Sequence, residues 1–482
     1  MRPRLAHRAA TLPLALQRGV APLSPAWYPD RMTDNLDALL AMDRRHLWRP
    51  YTSSEDHQHK TPLFIERAEG SYLYAADGQR YLDGSGAWWC NNLGHGHPRL
   101  REALARQAHD LLHCSMAGTV HPSAVRLAQE LVDIAPPGLT RVFYSDNGST
   151  SVEVALKMAF QYWQQSGKPG RTRFLALPGG YHGDTIGAMA VGNVGAFNAI
   201  FSPLFPGGRA AAEGLPEPEH ADDEAGWDAL FAALEATLRS ESDQIAAVIV
   251  EPLIQGAAGM RTYPAKHLAR LREVTREVDT FLICDEVFTG LGRTGTLWAS
   301  TRAGITPDLL CTAKGLSGGA LPFSATLATE RVFDGFRGDK TRALMHGHTF
   351  YGNPLGAAVA REVLAIYREE AILENSQARG AQLVAGFEAL GGIPGVRRTR
   401  SLGMVAAADL GEGGYLGGLG WAVHDAARAR GAQLRPLGDT IYVVPPLNID
   451  AAVLGDLLAI VHASVAEVLG SPRVTQGRGT RP

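Results

Sequence analysis

The chain has 482 residues, 45% of them hydrophobic, and its 46 Lys and Arg against 49 Asp and Glu leave a formal charge of −3. That length exceeds what one hydrophobic core serves, so two or three packed regions are expected. The balanced charge supplies no basic field for nucleic acid or anionic lipid, and no run approaches the roughly 20 continuous apolar residues of a membrane helix, so neither partner is expected.

Residues 1–31 carry Arg2, Arg4, Arg8, Arg18 and Arg31, with Asp30 as the only acid. Basic, acid-poor composition is that of an organellar transit peptide. Met32, however, opens an ordinary start, Thr33-Asp34-Asn35-Leu36-Asp37, so the segment reads better as a disordered extension upstream of the genuine start. The runs Leu63-Phe64-Ile65-Glu66 and Tyr72-Leu73-Tyr74, followed by Asp77-Gly78, predict a small meander, and residues 32–85 are the expected N-terminal part of a small domain.

A large domain over 86–360 follows from alternating patterns. Short apolar runs at 141–144, 173–177, 245–250, 281–284, 309–311 and 323–327 predict strands, and 149–166 and 265–278 predict helices. Continuous Val, Ile and Leu runs between helices indicate a mainly parallel sheet covered on both faces, hence an α/β fold. Residues 207–226, rich in Gly, Pro, Ala and acid, read as a surface excursion. A helix near 352–370 leads into a second domain, 361–470, whose strand-like Thr440-Ile441-Tyr442-Val443-Val444 the N-terminal meander joins. Residues 471–482 are expected to be a flexible tail.

Three clusters end apolar runs, where open α/β sheets bind their ligands. Ser145-Asp146-Asn147-Gly148-Ser149-Thr150 opens a helix whose unpaired N–H groups and dipole suit a phosphate, although such a start also serves as a cap with no ligand. In Gly179-Gly180-Tyr181-His182-Gly183-Asp184 the Tyr181 ring fits either a planar cofactor or a core position. Asp285 and Lys314 end two further runs, where an unpaired charge is expensive. An amine beside a buried carboxylate is what pyridoxal phosphate chemistry needs: one group to hold the aldehyde, the other to keep the pyridine nitrogen protonated.

The cysteines Cys90, Cys114, Cys284 and Cys311 have neither CxxC spacing nor the density of a disulfide scaffold, so a reduced cytoplasm is expected, with Cys284 and Cys311 as core residues. The pairs His57/His59, His95/His97 and His346/His348 lie in polar or Gly-rich loops, so no metal is assigned.

Asp285-Glu286-Val287-Phe288-Thr289-Gly290-Leu291-Gly292-Arg293-Thr294-Gly295 with Lys314-Gly315-Leu316-Ser317-Gly318-Gly319 resembles the signature of class III (omega) aminotransferases of pyridoxal phosphate fold type I. That fold implies a seven-stranded sheet in the large domain and a smaller α+β domain built from both termini. The stretches His46–Ser53, Trp88-Trp89, Tyr181–Thr185, Gln255–Arg261 and Leu434-Arg435-Pro436 are similar to the branch of the family that works in biotin synthesis. This likeness runs from about 32 to 470. It implies pyridoxal 5'-phosphate as cofactor, a ping-pong reaction, S-adenosylmethionine as amino donor and 8-amino-7-oxononanoate as acceptor. Another omega-amine, such as a diamine or β-alanine with pyruvate, is the alternative.

The resemblance also implies roles. Lys314 would hold the cofactor and shuttle a proton, and Asp285 would face the ring nitrogen. Gly148 and Ser149 would bind the phosphate, with His348 and Thr349 joining from the other subunit of a homodimer. Tyr181 would stack on the ring; Tyr51, Trp88, Trp89 and Gly347 would line the substrate pocket, Tyr51 counting among the catalytic residues; and Arg435 would receive a carboxylate as a bidentate fork. Phe288 stands where many class III enzymes have Gln, which argues against γ-aminobutyrate or ornithine as donor.

Overall fold

Six of the apolar runs form one sheet, in spatial order Leu139–Ser145, Ser324–Thr329, Leu309–Thr312, Phe281–Asp285, Ile245–Val250 and Arg173–Ala176. The computed structural model describes residues 36–205, 214–220, 223–411, 414–415 and 417–471. The extension 1–31, most of the excursion's first half and all but the first residue of the tail 471–482 lie outside the described residues. The last four strands of the sheet are mutually parallel. Ser324–Thr329 runs antiparallel to both its neighbours, because the connection 313–323 holds only a short 3₁₀ turn and no crossover helix.

The sheet has six strands among the described residues, one fewer than the fold type implies. After the edge strand Arg173–Ala176 the chain forms the short helix Ile186–Ala190. Glu153 secures the start of that helix by accepting hydrogen bonds from Thr185 Oγ1 and the Ala188 N–H at 2.6 and 3.0 Å.

Alternation along the buried strands feeds two cores. Val248, Val250, Leu282 and Cys284 pack with Trp227, Leu230 and Leu234 of helix Glu224–Ser240, on one face. Ala247, Ile249, Phe281 and Ile283 pack on the other, with Val152, Ala155 and Trp163 of helix Gly148–Gln165. A strand buried on both faces needs no polar residue, which is why these runs read as continuous Val, Ile and Leu.

The meander Ile65–Glu69, Tyr72–Ala75, Arg80–Asp83 gains a fourth strand from Ala432–Gln433, parallel to Arg80–Asp83. A three-stranded antiparallel sheet, Val396–Ser401, Ala406–Leu410 and Thr440–Val443, stands beside helix Ile372–Leu390. Helix Ala451–Gly470 is long and apolar enough by composition to cross a membrane, nearer that limit than the sequence expectation allowed. Its Leu454, Leu457, Val461 and Val465 are instead buried, and it packs on helices Ile372–Leu390 and Leu419–Ala429.

The chain divides into two compact units, Met1–Phe64 and Ile65–Pro482; the divisions expected near 85 and 360 fall inside the second. In the first unit Arg49 pairs with Asp43 at 3.0 Å and donates to the His57 carbonyl. Within the second, the buried Arg293 ties three segments together by donating to the carbonyls of Met404 and Pro445 and to Asn92 Oδ1, at 3.2, 2.7 and 2.8 Å. Burial lowers its pKa to about 10.

Candidate active site

Lys314 follows strand Leu309–Thr312 and opens the 3₁₀ turn Lys314–Ser317 with φ 45°, a left-handed backbone that a non-glycine residue holds only at some cost. Gly315 must be glycine, since a Cβ there would stand 2.2 Å from Asn92 Nδ2. The ammonium Nζ lies 4.8 Å from the Trp89 ring centroid and 5.8 Å from that of Phe288. Burial lowers the lysine pKa, opposed by the negative charge of Asp285 and Glu251. A lysine so placed spends more of its time as the neutral, nucleophilic amine.

Asp285 ends the neighbouring strand and is not ion-paired to Lys314 among the described residues. Its Oδ1 accepts the Val287 N–H at 3.1 Å, and its Oδ2 lies 2.8 Å from Nδ1 of His182, a fully buried side chain. One strand further, Glu251 follows Ile245–Val250 and accepts the N–H groups of Tyr181 and Gly256 at 3.0 and 2.9 Å. Burial pushes this carboxyl up to about 7, against the pull of His182 and those two N–H groups. Acids thus stand at the carboxyl ends of two adjacent parallel strands, with Lys314 beyond the third.

At helix Gly148–Gln165, Asn147 accepts the Thr150 N–H while Thr150 Oγ1 accepts that of Asn147, a reciprocal cap. The N–H groups of Gly148 and Ser149 keep no protein acceptor among the described residues. Ser149 Oγ is oriented by Thr185, 2.7 Å from its hydroxyl and 3.0 Å from its N–H. Close packing requires two glycines here: a Cβ on Gly148 would be 2.6 Å from Val287, and one on Gly183 2.3 Å from Ser149. Gly148, Ser149, Tyr181, Asp285, Phe288 and Lys314 line one cavity of ≈ 660 Å³, which Trp89 also borders.

Trp88 and Trp89 sit on a single left-handed turn, with φ 55°, 48°, 63° and 75° at Gly86, Ala87, Trp88 and Trp89. Left-handed helical backbone costs about 1–2 kcal/mol for each residue carrying a Cβ. Gly86 admits nothing larger, because its Cβ would be 2.5 Å from the Val444 carbonyl oxygen. Trp89 is buried against Phe288, ring centroids 4.6 Å apart. Trp88 is partly exposed and carries the Arg435 guanidinium 3.9 Å above its ring. No carboxylate forms an ion pair with Arg435 among the described residues.

The structure therefore gathers Lys314, Asp285, Gly148, Ser149, Tyr181 and Trp89 around one cavity, and pairs Trp88 with Arg435. Gly347 and Thr349 are exposed instead, and His348 is half-buried with Nδ1 3.5 Å from Asp146 Oδ2. Tyr51 belongs to the first unit, exposed, with φ 50°. Sequence reasoning gave no role to His182, Glu251 or Thr185. Glu251 had the same signal as Asp285, an acid closing an apolar run, whereas the pairing of His182 with Asp285 joins segments that no local pattern connects.

The sequence profile of the family "Aminotransferase class-III" matches residues 53–465. The chain belongs to the class III aminotransferases. A curated relative from Synechococcus elongatus named adenosylmethionine-8-amino-7-oxononanoate aminotransferase is 46% identical over 88% of this chain and 98% of its own length. A relative of the same name from Geobacter sulfurreducens is 40% identical over 89% and 97%. Among solved structures, the enzyme of that name from Methanocaldococcus jannaschii superposes with a TM-score of 0.84 at 33% identity, covering 90% of this chain and 99% of that one. An amine transaminase from an uncultivated Pseudomonas species, in its pyridoxal-phosphate-bound form, gives 0.82 at 35% identity over 87% and 98%.

This aminotransferase is a pyridoxal-phosphate-dependent enzyme of fold type I, and its residues fit that cofactor. The cavity offers free N–H groups and a hydroxyl at a helix start for a phosphate, a buried carboxylate at strand end, and a buried lysine of lowered pKa opposite aromatic walls.

Proposed function

We propose that this aminotransferase moves the amino group of S-adenosylmethionine to 8-amino-7-oxononanoate, forming 7,8-diaminononanoate for biotin synthesis in two successive half-reactions at the same cavity. The observation that carries the substrate reading is Arg435. Its guanidinium is spread on Trp88 with its hydrogen-bonding edge unclaimed by any carboxylate among the described residues, beside an aromatic-walled cavity. An elongated, mostly apolar acceptor ending in a carboxylate needs that combination. The aromatic faces of Trp89 and Phe288 also suit the donor's sulfonium.

Pyridoxal phosphate, when bound, supplies an aldehyde for amines and a ring that takes up electrons. The chain supplies the rest. Lys314 Nζ would hold the cofactor and, as a free amine, would take up and return the proton at the substrate carbon. Asp285, held by His182 and the Val287 N–H, would present its carboxyl group to the ring nitrogen. Gly148 and Ser149 would take the phosphate, and Tyr181, whose backbone N–H Glu251 accepts, would supply an aromatic face for the ring. Tyr51 is assigned to the substrate pocket on the resemblance alone.

The enzyme works as a homodimer in this reading, with Gly347, His348 and Thr349 of one protomer completing the cavity of its partner. In support, Met345 and Phe350 flank that segment with 78% and 57% exposure, apolar surface that an interface covers. Four free cysteines suit the cytoplasm. Single-turnover transfer with a donor panel tests the reaction: the amino group must reach 8-amino-7-oxononanoate from S-adenosylmethionine. Transfer from lysine, a diamine or β-alanine in its place would overturn the assignment.

A further inference from the structure

The turn that carries both tryptophans is held by one carboxylate. Asp83, 2% exposed, closes strand Arg80–Asp83 and accepts four hydrogen bonds. Its Oδ1 takes the N–H and hydroxyl of Ser85, both at 3.0 Å. Its Oδ2 takes the Ala87 N–H at 2.7 Å and stands 2.9 Å from His95 Nε2. His95 is itself anchored, exchanging backbone hydrogen bonds with Gly70 at 2.7 and 2.9 Å.

We infer that Asp83, braced by His95, is a positioning residue for both ends of the active site. It captures the backbone at Ser85 and Ala87 and so holds Ala87, Trp88 and Trp89 in left-handed conformations they would not otherwise keep. The consequence is geometric. One end of the turn sets the Trp88 ring beneath Arg435; the other sets Trp89 against Phe288 and 4.8 Å from the Lys314 ammonium. Asp83 holds the turn by its backbone N–H groups and does not line the main cavity, so its effect on substrates is transmitted through the backbone.

The inference rests on the proposed function only where a carboxylate substrate meets Arg435. The test uses the cofactor-loaded enzyme and the variants Asp83→Ala, Asp83→Asn, His95→Gln and Asp83→Ala/Ala87→Gly. Asp83→Ala should raise the acceptor KM about tenfold or more while lowering kcat less, and should increase acrylamide quenching of tryptophan fluorescence. Because glycine carries no left-handed penalty, Ala87→Gly should recover about threefold of that KM, and the quenching, in the Asp83→Ala background.

A purely structural Asp83 would lower stability without that rescue, and a KM within about twofold of the parent would overturn the inference. If Asp83→Ala fails to fold, Asp83→Asn and His95→Gln decide the matter, each with a KM raised about threefold or more. Should the parent enzyme not accept 8-amino-7-oxononanoate, the substrate reading fails, yet quenching and its rescue by Ala87→Gly still decide the role of Asp83.

Discussion

At the floor of the pocket, Asp285, Glu251 and His182 are 5%, 5% and 3% exposed, and both carboxylates are oriented by hydrogen bonds from their own chain. In the segment 345–350, by contrast, Met345, Thr349 and Phe350 all lie exposed. The floor is preorganised as soon as one chain folds, because Asp285 and Glu251 close adjacent strands of a single buried sheet and His182 is held against Asp285. The segment around Thr349 is unfinished surface, and its contribution depends on what covers it.

The largest expected effect is at the floor. Lys314→Ala should lower turnover about ten-thousand-fold, and borohydride should no longer fix the cofactor to the peptide containing position 314. Retained labelling at another lysine would break the assignment of the floor.

Glu251 sharpens the same side of the comparison. Its folded pKa is raised from 4.5 to about 7, so the stability it allows is fully present below pH 4.5 and is lost as pH rises through 7, in all about 3 kcal/mol. Glu251→Gln should remove that part of the pH dependence. Between pH 5 and pH 8, urea unfolding should show the variant gaining about 3 kcal/mol relative to the parent; parallel curves would show that the carboxyl is not desolvated as described.

Arg435→Ala should raise the acceptor KM about thirtyfold and leave the donor KM nearly unchanged. Unchanged acceptor kinetics would mean that its carboxylate is received elsewhere. The smallest effect is expected at the surface segment, where Thr349→Ala should weaken cofactor affinity about tenfold. At a cofactor concentration that leaves the Thr349→Ala enzyme largely unloaded, co-expression of Lys314→Ala with Thr349→Ala should then restore activity, since a mixed dimer assembles one cavity holding both intact groups. Absence of restored activity would place Thr349 in the service of its own chain.

Much of the floor was legible from sequence because strand and helix periods report burial directly. The helix expected at 149–166 is Gly148–Gln165, and the strand expected at 281–284 extends one residue further, to Asp285 itself. What was not legible depends on contacts between distant segments. No local preference selects left-handed backbone for Ala87, Trp88 and Trp89; that conformation is imposed by the Asp83 carboxylate and by the close approach of Val444 to Gly86.

Arg293 has a practical bearing on redesign. Its planar fork reaches oxygens on three separate stretches of chain, a span that the single ammonium of lysine does not reproduce. Anyone broadening the range of amines accepted should therefore vary Phe288, which lines the cavity, or Trp88, which carries Arg435, and leave Arg293 and Asn92 untouched, because loosening that knot would blur every distance the new pocket was designed around.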